Sequence, residues 1–95
     1  MPHLMVRVEM RDYEAWLAAH KETAPDRRSY GMEDGPIYRD IDTPNAALVH
    51  IRAVDLKRAM EWPQSERFRS AAERATLTRS NVYVAEPWTP SVSSS

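Results

Sequence analysis

Cysteine is absent from this chain of 95 residues, so no disulfide can form and no thiolate can bind a metal ion. Only two glycines are present. The chain therefore contains neither a glycine-rich phosphate-binding loop nor the nucleophile elbow of the serine hydrolases, which argues against nucleotide binding and serine hydrolysis. There is no apolar run of membrane-spanning length and no recognisable signal peptide, so we expect a cytoplasmic protein without a membrane partner.

Neither sign of charge dominates the chain, which has 14 acidic and 13 basic side chains and a net charge of -1. A nucleic-acid-binding protein needs a basic stripe that neutralises phosphates. The arginines between positions 67 and 79 resemble such a stripe, but Glu66 and Glu73 alternate with them. This pattern predicts a solvated helix face and no nucleic-acid partner.

The length fits one domain, which we place at residues 1–87, followed by a flexible tail at residues 88–95. A domain this small buries a modest fraction of its surface, and without disulfides oligomerisation is the remaining way to bury more.

Hydrophobic periodicity predicts a strand over residues 4–10 and then a helix that begins after the N-cap Asp12. The apolar stripe of this helix contains His20, Pro25 interrupts it, and Gly31 ends it. The next elements are a turn at residues 34–36, a strand at 37–41, a turn at 43–45 and a strand at 46–54. A second helix starts at the N-cap Asp55, breaks at Pro63 and restarts at Ser65, and a last strand covers residues 81–85.

This order predicts an α+β fold, the ferredoxin-like βαββαβ sandwich, in which two helices cover one face of a four-stranded antiparallel sheet. The other face is left open. The third strand has apolar residues on both of its sides, so the open face is expected to be an association surface. Pairing of two open faces about a two-fold axis predicts a homodimer.

Several segments resemble small cyclase-like proteins of the dimeric α+β barrel superfamily, which also contains the antibiotic-biosynthesis monooxygenases. The matching positions are the segment 6–16, Arg27, Gly31, the hairpin residues 38–40 and 42–45, and residues 55–56. The resemblance implies a dimeric α+β barrel, but its members include cyclases, isomerases, oxygenases, haem enzymes and proteins without a known reaction. Several features depart from the group, and two of them bear on the chemistry. His20 stands where a phenylalanine is usual, and the only asparagines, Asn45 and Asn81, lie near predicted turns rather than on the first strand, where the oxygenases carry one.

His20 is the sharpest candidate for catalysis, because it interrupts an apolar helical stripe where an aliphatic or aromatic residue would pack without cost. An imidazole there suits general acid–base chemistry. The alternative is a structural histidine bonded to a carbonyl or a carboxylate.

His50 is the second candidate, and it shares a strand face with Arg52. A neighbouring guanidinium favours a neutral imidazole, which could act as a base or as a donor to an oxyanion. The alternative is that this face meets the dimer partner, where His50 and Arg52 pair with Glu9 or its symmetry mate.

The aromatic residues suggest a cleft for a flat, oxygenated ligand. As substrate-binding residues we select Arg52 and five aromatic side chains, which are Tyr13, Trp16, Tyr38, Trp62 and Tyr83. The three histidines lie on different elements without a pairwise ligand spacing, so we expect no metal site and no other cofactor.

The leading hypothesis is a cofactor-independent enzyme of secondary metabolism. It would use His20 and His50 as acid and base in a cyclisation, enolisation or aldol-type step on an aromatic or polyketide-like molecule. A cofactor-free monooxygenase and a non-catalytic ligand-binding or interaction dimer are the alternatives.

Overall fold

The computed structural model describes residues 2–86, which form four strands and four α-helices. The strands are β1 (His3–Met10), β2 (Met32–Arg39), β3 (Ala46–Ala53) and β4 (Leu77–Ala85). The helices are α1 (Tyr13–Glu22), α2 (Ala24–Ser29), α3 (Leu56–Ala59) and α4 (Glu66–Arg74), with a short 3₁₀ turn at Trp62–Gln64. The predicted tail at residues 88–95 lies outside the described residues.

The sheet is antiparallel with the strand order β2-β3-β1-β4, which confirms the ferredoxin-like fold. Alternation along β1 places Leu4, Val8 and Met10 on the side of the helices, where they are buried. The apolar side chains of β3 at positions 47, 49, 51 and 53 lie on the same side. This helix-covered side of the sheet holds the core.

The helix boundaries follow local chemistry that the sequence displays. The Asp12 carboxylate accepts hydrogen bonds from the first turn of α1, and Asp55 and Ser65 cap α3 and α4 in the same way. Pro25 lies in the first turn of α2, and Gly31 follows that helix with a φ of +76°. The predicted interruption at Pro25 and the break at Pro63 are therefore confirmed.

The turn predicted at residues 34–36 is wrong, because these residues lie inside β2. The pairing of β2 with β3 shifts between Asp34 and Ile37, which marks a β-bulge around Gly35 and Pro36. An edge strand tolerates a proline because its missing N–H faces away from the sheet, and β2 is such an edge.

β4 begins at Leu77, four residues before the predicted start, so Asn81 lies within a strand rather than near a turn. This strand is the other edge of the sheet, and it is exposed along both of its faces after Leu77. Its first half consequently lacks the polar–apolar alternation from which a strand is recognised.

Candidate functional site

A cavity of about 140 Å³ lies between the sheet and the helices. Its walls are mainly apolar, and they include Leu4 and Ile51 from the sheet and Trp16 and Trp62 from the helical layer. Both indole rings are almost completely buried. The kink at Pro63 contributes to the lining, as the helix-breaking position suggested.

The polar lining of this cavity comes from His20, Thr23, Arg27 and Ser80. The first three follow one another at spacings of three and four residues along α1 and α2, so they fall on one side of the two helices. The cavity therefore has one polar end in an otherwise apolar wall.

The His20 imidazole has no hydrogen-bond partner within residues 2–86, where only its backbone carbonyl is bonded. The ring stacks on Trp16, with the centroids 5.1 Å apart and the planes inclined by 24°. Burial and, to a smaller extent, the positive charge of Arg27 lower the pKa of His20 to about 4, although the negative charge of Asp34 acts in the opposite direction. At neutral pH the ring is therefore uncharged, and it can donate a hydrogen bond to a ligand or accept one from it.

Arg27 is 4% exposed, and a network of hydrogen bonds compensates its charge. Its Nε and Nη2 atoms donate to Oδ1 and Oδ2 of Asp34 at 2.7 and 2.8 Å. Nη1 donates to Oγ1 of Thr23 at 2.7 Å, and Nη2 also donates to the carbonyl of His20. Desolvation acts to raise the pKa of Asp34, but the hydrogen bonds and the charge of Arg27 prevail and lower it. The pair is thus an ionised bridge from α2 to the bulge of β2.

His50 lies on the opposite face of the sheet from the cavity. Its Nε2 is 2.6 Å from Nδ1 of His3, and the two rings are stacked. Its neighbour Arg52 is bonded to Glu33, and Glu9 is bonded to Arg7, so the pairing of His50 and Arg52 with Glu9 does not occur within the chain. His20 and His50 do not meet in one cavity of a single chain.

The predicted substrate-binding residues divide between the two faces. Trp16 and Trp62 line the cavity. Tyr13 packs beside Trp16, with the ring centroids 5.7 Å apart, and its ring lies under the guanidinium of Arg39.

The remaining three candidates, Tyr38, Arg52 and Tyr83, lie on the open face, as their register with β1 and β3 shows. Both tyrosines are 58% exposed. The open face thus carries the second candidate histidine together with half of the predicted substrate-binding residues.

The roles of Thr23, Asp34 and Arg27 were not predicted from the sequence, where Arg27 was only one of the positions that resemble the family. The spacing of His20, Thr23 and Arg27 was the available signal, and the helix boundary at Thr23 obscured it. Within residues 2–86 there is no group of three or more metal-binding side chains placed to hold a metal ion. None of the helices in that range has the length and apolarity needed to cross a bilayer.

No protein-family model matches the chain, and no curated protein matches it significantly in sequence. Solved structures do match. A protein of Bordetella bronchiseptica provisionally named an antibiotic biosynthesis monooxygenase is 12% identical, with a TM-score of 0.77 over 93% of this chain and 97% of its own. A second protein with that provisional name, from Nitrosomonas europaea, is 13% identical, with a TM-score of 0.69 over 94% of this chain and all of its own.

A protein of Mycobacterium tuberculosis is 17% identical, with a TM-score of 0.63 over 96% of this chain and 99% of its own. The fold is therefore the ferredoxin-like fold of the antibiotic biosynthesis monooxygenase-like proteins, which confirms the resemblance at the level of fold.

Proposed function

We propose that this chain, which has the fold of the antibiotic biosynthesis monooxygenase-like proteins, is a cofactor-independent enzyme for acid–base chemistry on a small aromatic or polyketide-like molecule. The observation that carries this proposal is the His20 imidazole, which lines an apolar cavity without a hydrogen-bond partner among residues 2–86. A structural histidine would be bonded to a carbonyl or a carboxylate. The ring of His20 has its bonding capacity left for a ligand.

Neutral His20 can act as a general base in this cavity. It removes a proton from the carbon next to a substrate carbonyl, and the electron pair of the broken C–H bond forms an enolate. The enolate then attacks a second carbonyl of the same molecule or is reprotonated at another atom, and the imidazolium returns the proton. The buried indole walls hold the substrate in one orientation, which can lower the barrier by several kcal/mol.

We assign this role to His20 and not to His50, because His50 lies across the sheet. The role of His50 and Arg52 is instead proposed to be in the association of two open faces into a homodimer.

A cofactor-free monooxygenase is the second candidate, favoured by the provisional names of two proteins with the same fold. In that reaction the deprotonated substrate would react with oxygen directly. Neither Asn45 nor Asn81 lines the cavity, since Asn45 bonds the carbonyl of Arg11 and Asn81 lies opposite Arg7. The asparagine that the oxygenases carry on their first strand thus has no counterpart here, and we rank acid–base chemistry first.

Substitution of His20 tests the proposal. The wild-type protein, His20→Phe and His20→Gln are incubated separately with a metabolite extract, and mass spectrometry records which compounds are consumed. We expect both variants to lose turnover of the wild-type substrate by a factor of roughly a hundred or more, the usual effect of removing a general acid or base.

His50→Phe is the matched control, because it carries the same substitution on the opposite face of the sheet. Full turnover by His20→Phe, or a loss in His50→Phe alone, would refute the assignment. If the wild-type protein binds a compound without converting it, the protein is a binding dimer rather than an enzyme. We also expect the purified protein to be colourless and free of stoichiometric metal.

A further inference from the structure

We infer that the cavity accepts uncharged ligands with one ring and a hydroxyl group, and that Asp34 excludes anionic ligands by occupying the charged edge of Arg27. This inference rests on the proposed function for the location of the site, but it concerns binding alone. Three observations support it, which are the volume of the cavity, the charged side chains in its lining and the unpaired imidazole of His20.

The volume of the cavity matches a ligand of about one ring. An apolar cavity of about 150 Å³ in another protein accommodates benzene, and the cavity here has about 140 Å³. The stacked rings of Trp16 and His20 both contribute to its lining, and aromatic walls suit a planar ligand. A ligand of two or three fused rings would leave part of its apolar surface outside.

The charged side chains in the lining disfavour the binding of an anionic ligand. Arg27 is the one charged side chain that lines the cavity among the described residues. Four of its five N–H groups are already used, two of them by both oxygens of the Asp34 carboxylate. A carboxylate in the cavity would lose its hydration without gaining a free counterion, and such burial is strongly unfavourable.

The unpaired imidazole favours a hydroxyl group. A neutral histidine ring carries one acceptor and one donor nitrogen, and a ligand hydroxyl can pair with either. An apolar ring without a hydroxyl would displace water from these nitrogen atoms without replacing the hydrogen bonds that the water makes. The chemistry of the site therefore matches a simple phenol or a cyclic enol.

Ligand titrations followed by two-dimensional NMR at pH 7 test the inference with four probes, which are phenol, toluene, benzoate and 1-naphthol. We expect phenol to shift the amide signals of cavity residues and to bind at least tenfold more tightly than benzoate and 1-naphthol and several-fold more tightly than toluene. Absence of phenol binding, or binding of benzoate or 1-naphthol within threefold of phenol, would overturn the inference.

Asp34→Asn tests the role of the carboxylate that pairs with Arg27, because it removes the charge and keeps the shape. We expect the affinity ratio of benzoate to phenol to rise at least tenfold. The matched control is Asp26→Asn, since Asp26 holds Arg67 by the same two-point contact at the surface, and it should leave the ratio unchanged. If Asp34→Asn leaves the affinity ratio of benzoate to phenol unchanged, Asp34 does not exclude anionic ligands and the inference is wrong on this point.

If Asp34→Asn does not fold, the double variant Arg27→Met with Asp34→Leu replaces the ion pair by apolar groups. It should keep phenol binding and still exclude benzoate, and equal binding of the two would overturn the inference. Correct binding order without any turnover would refute the proposed function alone, whereas turnover with a wrong binding order would refute this inference alone.

Discussion

The His20 side chain is the candidate catalytic group on the helix-covered side of the sheet, and its protonation should make the stability of the protein depend on pH. The His20 ring is mostly buried, it has no bonding partner among residues 2–86, and its pKa is lowered to about 4. A lowered pKa means that the folded state favours the neutral ring more than the unfolded state does. Between the unfolded value of about 6.5 and the folded value the unfolded chain binds more protons, so stability falls as the pH falls through this window.

His20→Phe separates this effect from a structural role. The variant should be as stable as the wild-type protein or more stable at pH 7, because an aromatic ring fills the same site and no partner is stranded. From pH 6.5 to pH 4 its advantage should grow, by up to about 3 kcal/mol, because it lacks the titrating group. Chemical denaturation at several pH values measures both. A melting temperature several degrees lower at pH 7 together with full activity would contradict the account.

Strand β2 positions the polar end of the cavity. Asp34 and Ile37 both lie on the helix-covered side of the sheet, although three positions separate them, because the bulge at Gly35 and Pro36 resets the alternation. The bulge thereby lets Asp34 reach Arg27 while the rest of β2 continues its pairing with β3.

Gly35→Ala tests the bulge. A Cβ atom at this position would lie 2.7 Å from the backbone oxygen of His50 and 3.1 Å from its Nδ1. We expect a loss of about 1 to 3 kcal/mol in the free energy of unfolding, as for other overpacked positions. The control is Pro36→Ala, since Pro36 is exposed in the same bulge. Equal stability of the two variants in urea denaturation would show that a Cβ atom near the backbone oxygen of His50 does not destabilise the fold.

The elements that could be predicted from sequence are those fixed by local chemistry. Caps at Asp12, Asp55 and Ser65 and the proline interruptions lie within a few residues of the structure they determine. The Asp-Gly-Pro sequence at 34–36 failed as a predictor because its turn chemistry is equally compatible with a bulged edge strand. The start of β4 failed because a strand exposed on both faces has no alternation to detect.

The sequence could single out His20 as a candidate, but it could not predict which other side chains lie beside it. The position of His20 in an apolar stripe follows from helical spacing. Its separation from His50 depends on which face of β3 the helices cover, and this is decided by tertiary packing. For the same reason the sequence alone could not connect Asp34 with Arg27.

On the scale of the whole molecule, the open face of the sheet is the side opposite the helices and the core. It combines partly exposed apolar side chains, the His3–His50 contact, and the ion pairs Arg7–Glu9 and Arg52–Glu33. Apolar surface with paired charges and tyrosines is typical of an association interface. We expect this face to pair with that of a second copy.

Sedimentation equilibrium at micromolar concentration tests the dimer. The wild-type protein should sediment as a dimer, and the double variant Tyr38→Glu with Tyr83→Glu should shift it toward the monomer, because four added charges would meet across the interface. The control Lys57→Glu changes a charge on α3, at the opposite side of the sheet. A stable, well-folded wild-type monomer would contradict this part of the account.

The most direct test of the central claim is an NMR pH titration of the His20 ring, without ligand and with phenol. As a general base, His20 must be neutral and unpaired and must line the cavity. We therefore expect a pKa near 4 and ring signals that shift when phenol binds. A pKa at or above the ordinary value of about 6.5, or ring signals that do not respond to a bound ligand, would contradict it.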